Sequence, residues 1–365
     1  MKLLLRLLID SLGGINNNMN ILLTGATGFV GKQLTIRLLS EGHTVYALAR
    51  NERKADHLIE SLSAELQSKL FIIEGNIMMD YAGVSNENIA GLKGTIDTVY
   101  HIAAYLSFDD NEKEKTFDIN VNGTRNILEF SKDIQAKNFY HVSTAYTLGD
   151  QMYASETLHS VDNGFVNYYE QSKCQAEHLV FEYEDHFNVS IFRPSIIIGD
   201  SKTGEAETTF ALYGVIRSFE IMKKRMKRKK EMPSTRVKFL CAQDTAQNLV
   251  PVDYVVDVLV AGLENSKNKE IYHITNSQPP TNQLVFETIK SELDFNQVEL
   301  VSTNYDGELT EQEMKFNEPM KVFHQYLDKT LIFDDTNTRK LLTESNVKAL
   351  DLNEDVLRTI IAGSR

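Results

Sequence analysis

The stretch Asn20–Gly31, NILLTGATGFVG, constrains this chain more than any other. Ile21–Leu23 is a short apolar run that reads as a buried strand, and an apolar-periodic helix begins at about Phe29. Gly25, Gly28 and Gly31 stand between and at the start of the helix. A strand that turns through glycines into a helix N-terminus makes a pyrophosphate cradle, because free N–H groups and the positive helix end face the anion. The first glycine allows the tight turn, the second lets backbone approach phosphate, and the third lets helix pack on strand. The spacing, G-x-x-G-x-x-G, is one residue longer than the general dinucleotide fingerprint. A plain surface turn is the alternative for three glycines, and the flanking strand and helix argue against it.

Further along, apolar β-rich runs alternate with helical patterns. Thr44–Ala49, Leu70–Ile73, Thr98–Ile102, Phe139–Val142 and Val189–Phe192 read as strands, the last stopped by Pro194. Lys32–Leu39, Asn122–Ser131 and Tyr169–Tyr183 read as helices. This alternation predicts an α/β fold with a doubly wound parallel sheet and a smaller C-terminal lobe. The expected division is a dinucleotide-binding domain at 19–200 plus about 245–265, and a substrate lobe at 201–244 plus 266–365. A chain of 365 residues is long enough for both.

A net charge of −13 argues against nucleic acid as a partner. Only Cys174 and Cys241 occur, outside any C-x-x-C or Cys/His cluster, which predicts no metal, no disulfide framework and a reducing, cytoplasmic compartment. No apolar run approaches the ~20 residues of a membrane-spanning helix. Residues 1–18 look superficially like a signal peptide, but Arg6 and Asp10 interrupt the apolar run and no small-residue cleavage site follows. They read as a disordered extension ahead of Met19, with too early a start codon or a membrane-surface helix as alternatives.

Sites specific for NAD place a carboxylate ~20 residues past the glycines to hold the ribose 2′-hydroxyl. Here the second strand ends in Ala49 and Arg50 follows, with Arg53 and Lys54 nearby. A guanidinium binds a 2′-phosphate that a carboxylate would repel, so NADP(H) is preferred over NAD(H). Arg50 as a solvated helix-cap residue is the competing reading.

Tyr169 and Lys173 form Y-x-x-x-K, the only such match in the chain. At i and i+4 they share a helix face, so an ammonium beside a phenol would favour its ionised form and make it a usable acid–base group. The motif is weak alone and gains from its place between the fifth and sixth strands. Upstream, FYHVSTAYTLG ends a strand in Ser143-Thr144, whose hydroxyls would stand at the carboxyl edge of the sheet. One of them can hydrogen-bond a carbonyl oxygen as it gains charge, unless the pair only caps the strand end.

TGATGFVG, HIAA (His101–Ala104), NVNGTRNILEF (Asn120–Phe130), HVSTAYTLG, YEQSK and FRPSIIIGD (Phe192–Asp200) together resemble the extended short-chain dehydrogenase/reductases over most of residues 19–265. STAY, RPSIIIGDSKTGE and LVPVDYVVD (Leu249–Asp257) look most like their thioester-reductase and fatty acyl-CoA reductase branch. The resemblance implies that Gly25, Gly28 and Gly31 hold pyrophosphate and that Thr144 binds substrate. It makes Tyr169 the acid–base residue and has Lys173 contact the nicotinamide ribose and tune Tyr169. It adds Thr27, Phe29, Val30, Arg50, Asn76, Ile77, Ala103, Ala104, Asn120 and Pro194 to the cofactor-binding set. Asn76 departs from the aspartate that many extended members carry near adenine, yet still donates and accepts hydrogen bonds.

The implied activity is NADPH-dependent reduction of an acyl thioester, on coenzyme A or an acyl carrier protein, to an aldehyde or on to an alcohol. The alternatives are an NAD-dependent sugar-nucleotide epimerase/dehydratase, a small-ketone reductase, or a non-catalytic dinucleotide-binding scaffold. An oligomer is compatible with the sequence. Arg217–Lys230, RSFEIMKKRMKRKK, carries eight basic residues and one acidic one. It reads as a solvated helix face, as a platform for coenzyme A phosphates or an acidic carrier protein, or as a contact for an anionic membrane. Met222 and Met226 at i,i+4 would give that segment an apolar edge.

Overall fold

In the computed structural model, which describes residues 18–208, 212–229, 236–318 and 324–364, the predicted first strand lies inside a seven-stranded sheet. Its members are β1 (Asn20–Thr24), β2 (Thr44–Ala49), β3 (Leu70–Glu74), β4 (Thr98–His101), β5 (Asn138–Val142), β6 (Asn188–Pro194) and β7 (Glu270–Ile274). They run in the spatial order 3-2-1-4-5-6-7, every pair parallel. The order reverses between β1 and β4, which opens a crevice at the carboxyl edge, the place where doubly wound sheets hold ligands. The N-terminal expectation for residues 1–18 lies outside the described residues except for Asn18.

The helices that matter to the site are α1 (Phe29–Ser40), α2 (Gly123–Asp133), α3 (Tyr168–Phe181), α4 (Leu212–Lys229), α5 (Val252–Asn265), α6 (Asn282–Glu292) and α7 (Thr336–Glu344). Side chains alternate across a strand, and β1 shows the result. Ile21 and Leu23 join Leu34, Leu38, Val255 and Leu259 of α1 and α5. Leu22 joins Ile127, Leu128 and Leu179 of α2 and α3 on the other face. Both faces of the sheet are thereby covered, as parallel sheets require.

A second core belongs to the smaller lobe. There α4 and α6 pack with a two-stranded parallel ribbon, Val237–Leu240 and Val298–Val301. Phe239 lies at its centre, 5.1 Å from Phe219, 5.0 Å from Phe286 and 5.2 Å from Phe316 between ring centroids. Ile196–Ile198 pairs with Leu249–Pro251 just beyond β6 and joins the two cores. Two segments from the 266–365 stretch pack with the main sheet: β7 is its edge strand, and Leu341 and Leu342 of α7 enter the first core.

Candidate active site

The parallel register brings the carboxyl ends of the strands to one level: Thr24 pairs with Leu48 and with His101, His101 with His141, and Val142 with Phe192. Each predicted site segment therefore leaves the sheet along the same edge. At β1 the chain turns at Gly25 with φ +76°, and a Cβ there would lie 2.8 Å from Ala103 N. A Cβ on Gly31 would lie 2.1 Å from Gly25 O, so helix and turn touch backbone to backbone. Gly28 caps α1 without a side chain, and the first turn of α1 carries no acidic residue. Free N–H groups and an unopposed positive helix end fit a dinucleotide pyrophosphate.

The remaining cofactor candidates flank this turn. Ala103 N donates to Thr24 Oγ1 at 3.2 Å. Asn120 is buried, accepts from Tyr105 N at 2.7 Å and donates to Tyr105 O and Ser172 Oγ, both at 2.9 Å. Its amide thus pins the loop after β4 to α3. Ile77 lies against Gly123, and its carbonyl accepts from Asn126 Nδ2 at 2.8 Å. Asn76 folds back on its own turn, its Oδ1 accepting from Met78 N at 3.1 Å. Arg50 is exposed at the end of β2, with no hydrogen bond or ion pair among the described residues. The next residue, Asn51, caps the helix Glu52–Glu60.

Phe29, Val30, Ala104, Thr144, Tyr169, Lys173 and Pro194 line one cavity of about 340 Å³. Asn167 caps α3 by accepting from Glu170 N at 3.0 Å, which sets the first turn bearing Tyr169. Lys173 follows one turn later, only 1% exposed. Its Nζ donates to Val142 O at 2.7 Å and lies 3.2 Å from His141 Nε2. Beneath it, Arg193 of β6 grips Glu177 of α3 through two bonds of 2.8 and 2.6 Å. Both side chains are fully buried. Breaking such a pair from one side typically costs about 3–5 kcal/mol, so it anchors α3 to the sheet.

Burial sets the ionisation of the site. It pulls the Lys173 ammonium down to about 7, opposed by the Glu177 charge. The Tyr169 phenol is pushed up, first by burial and then by the neighbouring Glu170. The downward pull of Lys173 on the phenol that the i,i+4 spacing predicts is corrected: burial and Glu170 both raise Tyr169, and neither is opposed by Lys173. Glu170 itself rises to about 7 through burial, with the Tyr326 hydroxyl donating to it. Asn167 Nδ2 also reaches Tyr326, at 2.7 Å, so the segment 324–327 is tied to the start of α3. Glu170, Tyr326 and His141 were missed by the sequence reading. The place of Glu170 beside Tyr169 was a usable signal, whereas nothing local marked Tyr326.

From Tyr169 the cavity continues between apolar walls: Leu212 and Val215 of α4, Leu249, Val285 and Phe286 of α6, and Leu327. Lys173 is the only cation among its described lining residues. The basic segment lies farther along α4. Lys224, Lys227 and Arg228 are exposed, whereas Lys223 bonds the Leu293 carbonyl and pairs with Asp294 at 3.5 Å. The expected apolar edge is corrected: Met222 is 3% exposed and Met226 0%, both buried in the second core. They continue the stripe begun by Phe219, which faces the lobe interior.

The family described as Male sterility protein matches residues 23–259. A nonribosomal peptide synthetase, cpsA, of Aspergillus campestris is 30% identical over 267 residues, 66% of this chain and 24% of that one. The fatty acyl-CoA reductase wat of Drosophila melanogaster is 25% identical over 313 residues, 73% of this chain and 58% of that one. The chain thus spans about a quarter and somewhat over half of these two relatives. Among solved structures, the terminal R domain of the myxalamid PKS-NRPS pathway superposes with a TM-score of 0.76 at 22% identity, covering 96% of this chain and 91% of that one. A UDP-glucuronic acid 4-epimerase from Bacillus cereus gives 0.68 at 19% identity, covering 95% and 99%. At these identities the two structures establish the fold.

Proposed function

Because the chain belongs to the NAD-binding family described as Male sterility protein, we propose that it is an NADPH-dependent reductase of acyl thioesters. The observation that carries this reading is the continuity of one cavity from Thr144, Tyr169 and Lys173 into walls of Leu212, Val215, Val285, Phe286 and Leu327. An acyl chain fits such walls, since each buried methylene contributes about 0.8 kcal/mol. A nucleotide sugar carries a diphosphate, and the described lining residues offer it no cation beyond Lys173. The relatives support the same class, being a fatty acyl-CoA reductase and a peptide synthetase.

Bound NADPH would supply a hydride to the carbonyl carbon. Thr144 donates a hydrogen bond to the oxygen that gains charge, and Tyr169 gives that oxygen its proton. Lys173, held by Val142 O and His141, supports the phenolate left on Tyr169 and the ribose beside it. The resulting hemithioacetal loses its hydroxyl proton and its C–S bond, releasing aldehyde and thiol. One thioester, one NADPH and one proton are consumed. A second NADPH would carry the aldehyde to the alcohol.

The free guanidinium of Arg50, next to the N-terminus of the helix Glu52–Glu60, supports NADPH over NADH. The exposed Lys224, Lys227 and Arg228 support an anionic carrier, either an acyl carrier protein or coenzyme A. They lie on the helix that lends Leu212 and Val215 to the cavity. Val215 to Lys227 is about 18 Å along the axis at 1.5 Å per residue.

The test is NADPH consumption against acyl-CoAs, acyl-carrier thioesters, nucleotide sugars and simple ketones. The expected result is turnover with thioesters, abolished in Tyr169→Phe while NADPH still binds. Turnover of a nucleotide sugar alone would overturn the reading.

A further inference from the structure

The cavity wall holds a hydroxyl that neither Thr144 nor Tyr169 accounts for. Ser143 is 4% exposed, lines the cavity, and its Oγ has no hydrogen-bond partner. A buried hydroxyl left unpaired is costly, and one that lines a cavity can be paired by what binds there. Its neighbours each have a partner already. Thr144 Oγ1 accepts from Tyr146 N at 3.3 Å, capping the short helix Ala145–Leu148. Ser195 Oγ, across the cavity edge, donates to Asn248 Oδ1 at 2.8 Å.

The backbone beneath Ser143 is fixed on both sides. Its N–H donates to Phe192 O at 2.7 Å, extending the β5–β6 ladder by one residue. The carbonyl of the same peptide group, Val142 O, takes the Lys173 ammonium at 2.7 Å. A donor carried on such a peptide needs only side-chain rotation, with no backbone movement, when charge develops beside it, which favours oxyanion stabilisation.

We propose that Ser143 is a further catalytic residue, its hydroxyl donating a hydrogen bond to the thioester oxygen as hydride arrives, beside Thr144 and Tyr169. Ser143 keeps its proton throughout; the proton that the oxygen gains comes from Tyr169. The proposal rests on the thioester reading. It gives the tetrahedral oxygen two side-chain alcohols and a phenol.

The experiment compares the unaltered protein with Ser143→Ala, Thr144→Ala and the double variant. It measures kcat at saturating NADPH and acyl-CoA, NADPH affinity by fluorescence titration, and folding by circular dichroism. The expected result for Ser143→Ala is a fall in kcat of about 10²-fold, the lower end of what losing one oxyanion donor costs. NADPH affinity and fold should stay as they are. Wild-type turnover in Ser143→Ala would overturn the proposal, as would a loss of NADPH affinity matching the loss of rate, which would assign the hydroxyl to the nicotinamide. Should Ser143→Ala not fold, Ser143→Cys keeps the volume with a weaker donor, and the same two outcomes decide. Thioester turnover by the unaltered protein separates the two readings: its absence strikes the thioester assignment, whereas its presence with an unimpaired Ser143→Ala strikes Ser143 alone.

Discussion

One part of the cavity wall is formed by groups that the main sheet fixes. Thr144 leaves β5, Pro194 ends β6, and Lys173 is bonded to the last carbonyl of β5. The other part comes from segments far apart in the chain: α4, the strand Leu249–Pro251, α6 and residues 326–327. Backbone hydrogen bonds position the first set and side-chain packing positions the second. Chemistry that tolerates little displacement belongs with the first set. A surface that selects by shape belongs with the second, where one methylene is worth about 1–3 kcal/mol.

The largest effect should come from Gly31→Ala. The added carbon would meet Gly25 O at 2.1 Å, and backbone has nowhere to go. NADPH binding, followed by fluorescence, should be lost, with about 1–3 kcal/mol of stability lost in denaturant unfolding. Normal binding by this variant would mean that the glycine turn does not hold the dinucleotide.

Lys173→Arg should come next, lowering the rate about 10²-fold because the planar fork misplaces the charge. The pH profile matters more than the loss. With Lys173 drawn down to about 7, the ammonium disappears as pH rises through that value, and kcat/KM of the unaltered protein should fall there. Arginine stays charged, so the falling limb should vanish in the variant. An identical limb in both proteins would assign it to another group, with Glu170, raised to about 7, as the first to examine.

Arg50→Ala should weaken NADPH binding about 10- to 100-fold, the worth of one charge-assisted contact, and leave NADH binding unmoved. Equal losses for both cofactors would remove the 2′-phosphate from its role. The smallest effect belongs to Val215→Phe, in the packed set. It should raise KM for long acyl chains about tenfold and leave short ones alone. A uniform rise across chain lengths would show that the two sets are not separable in this way.

The main sheet was legible because its signals are local. The glycine turn, the strand runs and Tyr169–Lys173 each lie within a dozen residues, and parallel pairing follows from their alternation. The ribbon of the smaller lobe was not, because it pairs Val237 with Val298 and nothing nearby predicts that. In α4 the i,i+4 spacing of Met222 and Met226 marked an apolar edge, and only the packing shows that this edge is buried with Phe219. Ser143 and Thr144 were both visible as hydroxyls at a strand end. Their difference lies in the fold: Thr144 Oγ1 accepts a cap hydrogen bond and Ser143 Oγ has no partner.

Glu177 stands one turn from Lys173 and could have neutralised it. Arg193 takes both of its oxygens instead. With that carboxylate held by Arg193, the amine bonds Val142 O and sits by His141 in a mostly apolar wall. On the proposed chemistry its complement is the phenolate that Tyr169 becomes on giving up its proton, so the amine would meet an opposite charge only in the course of the reaction.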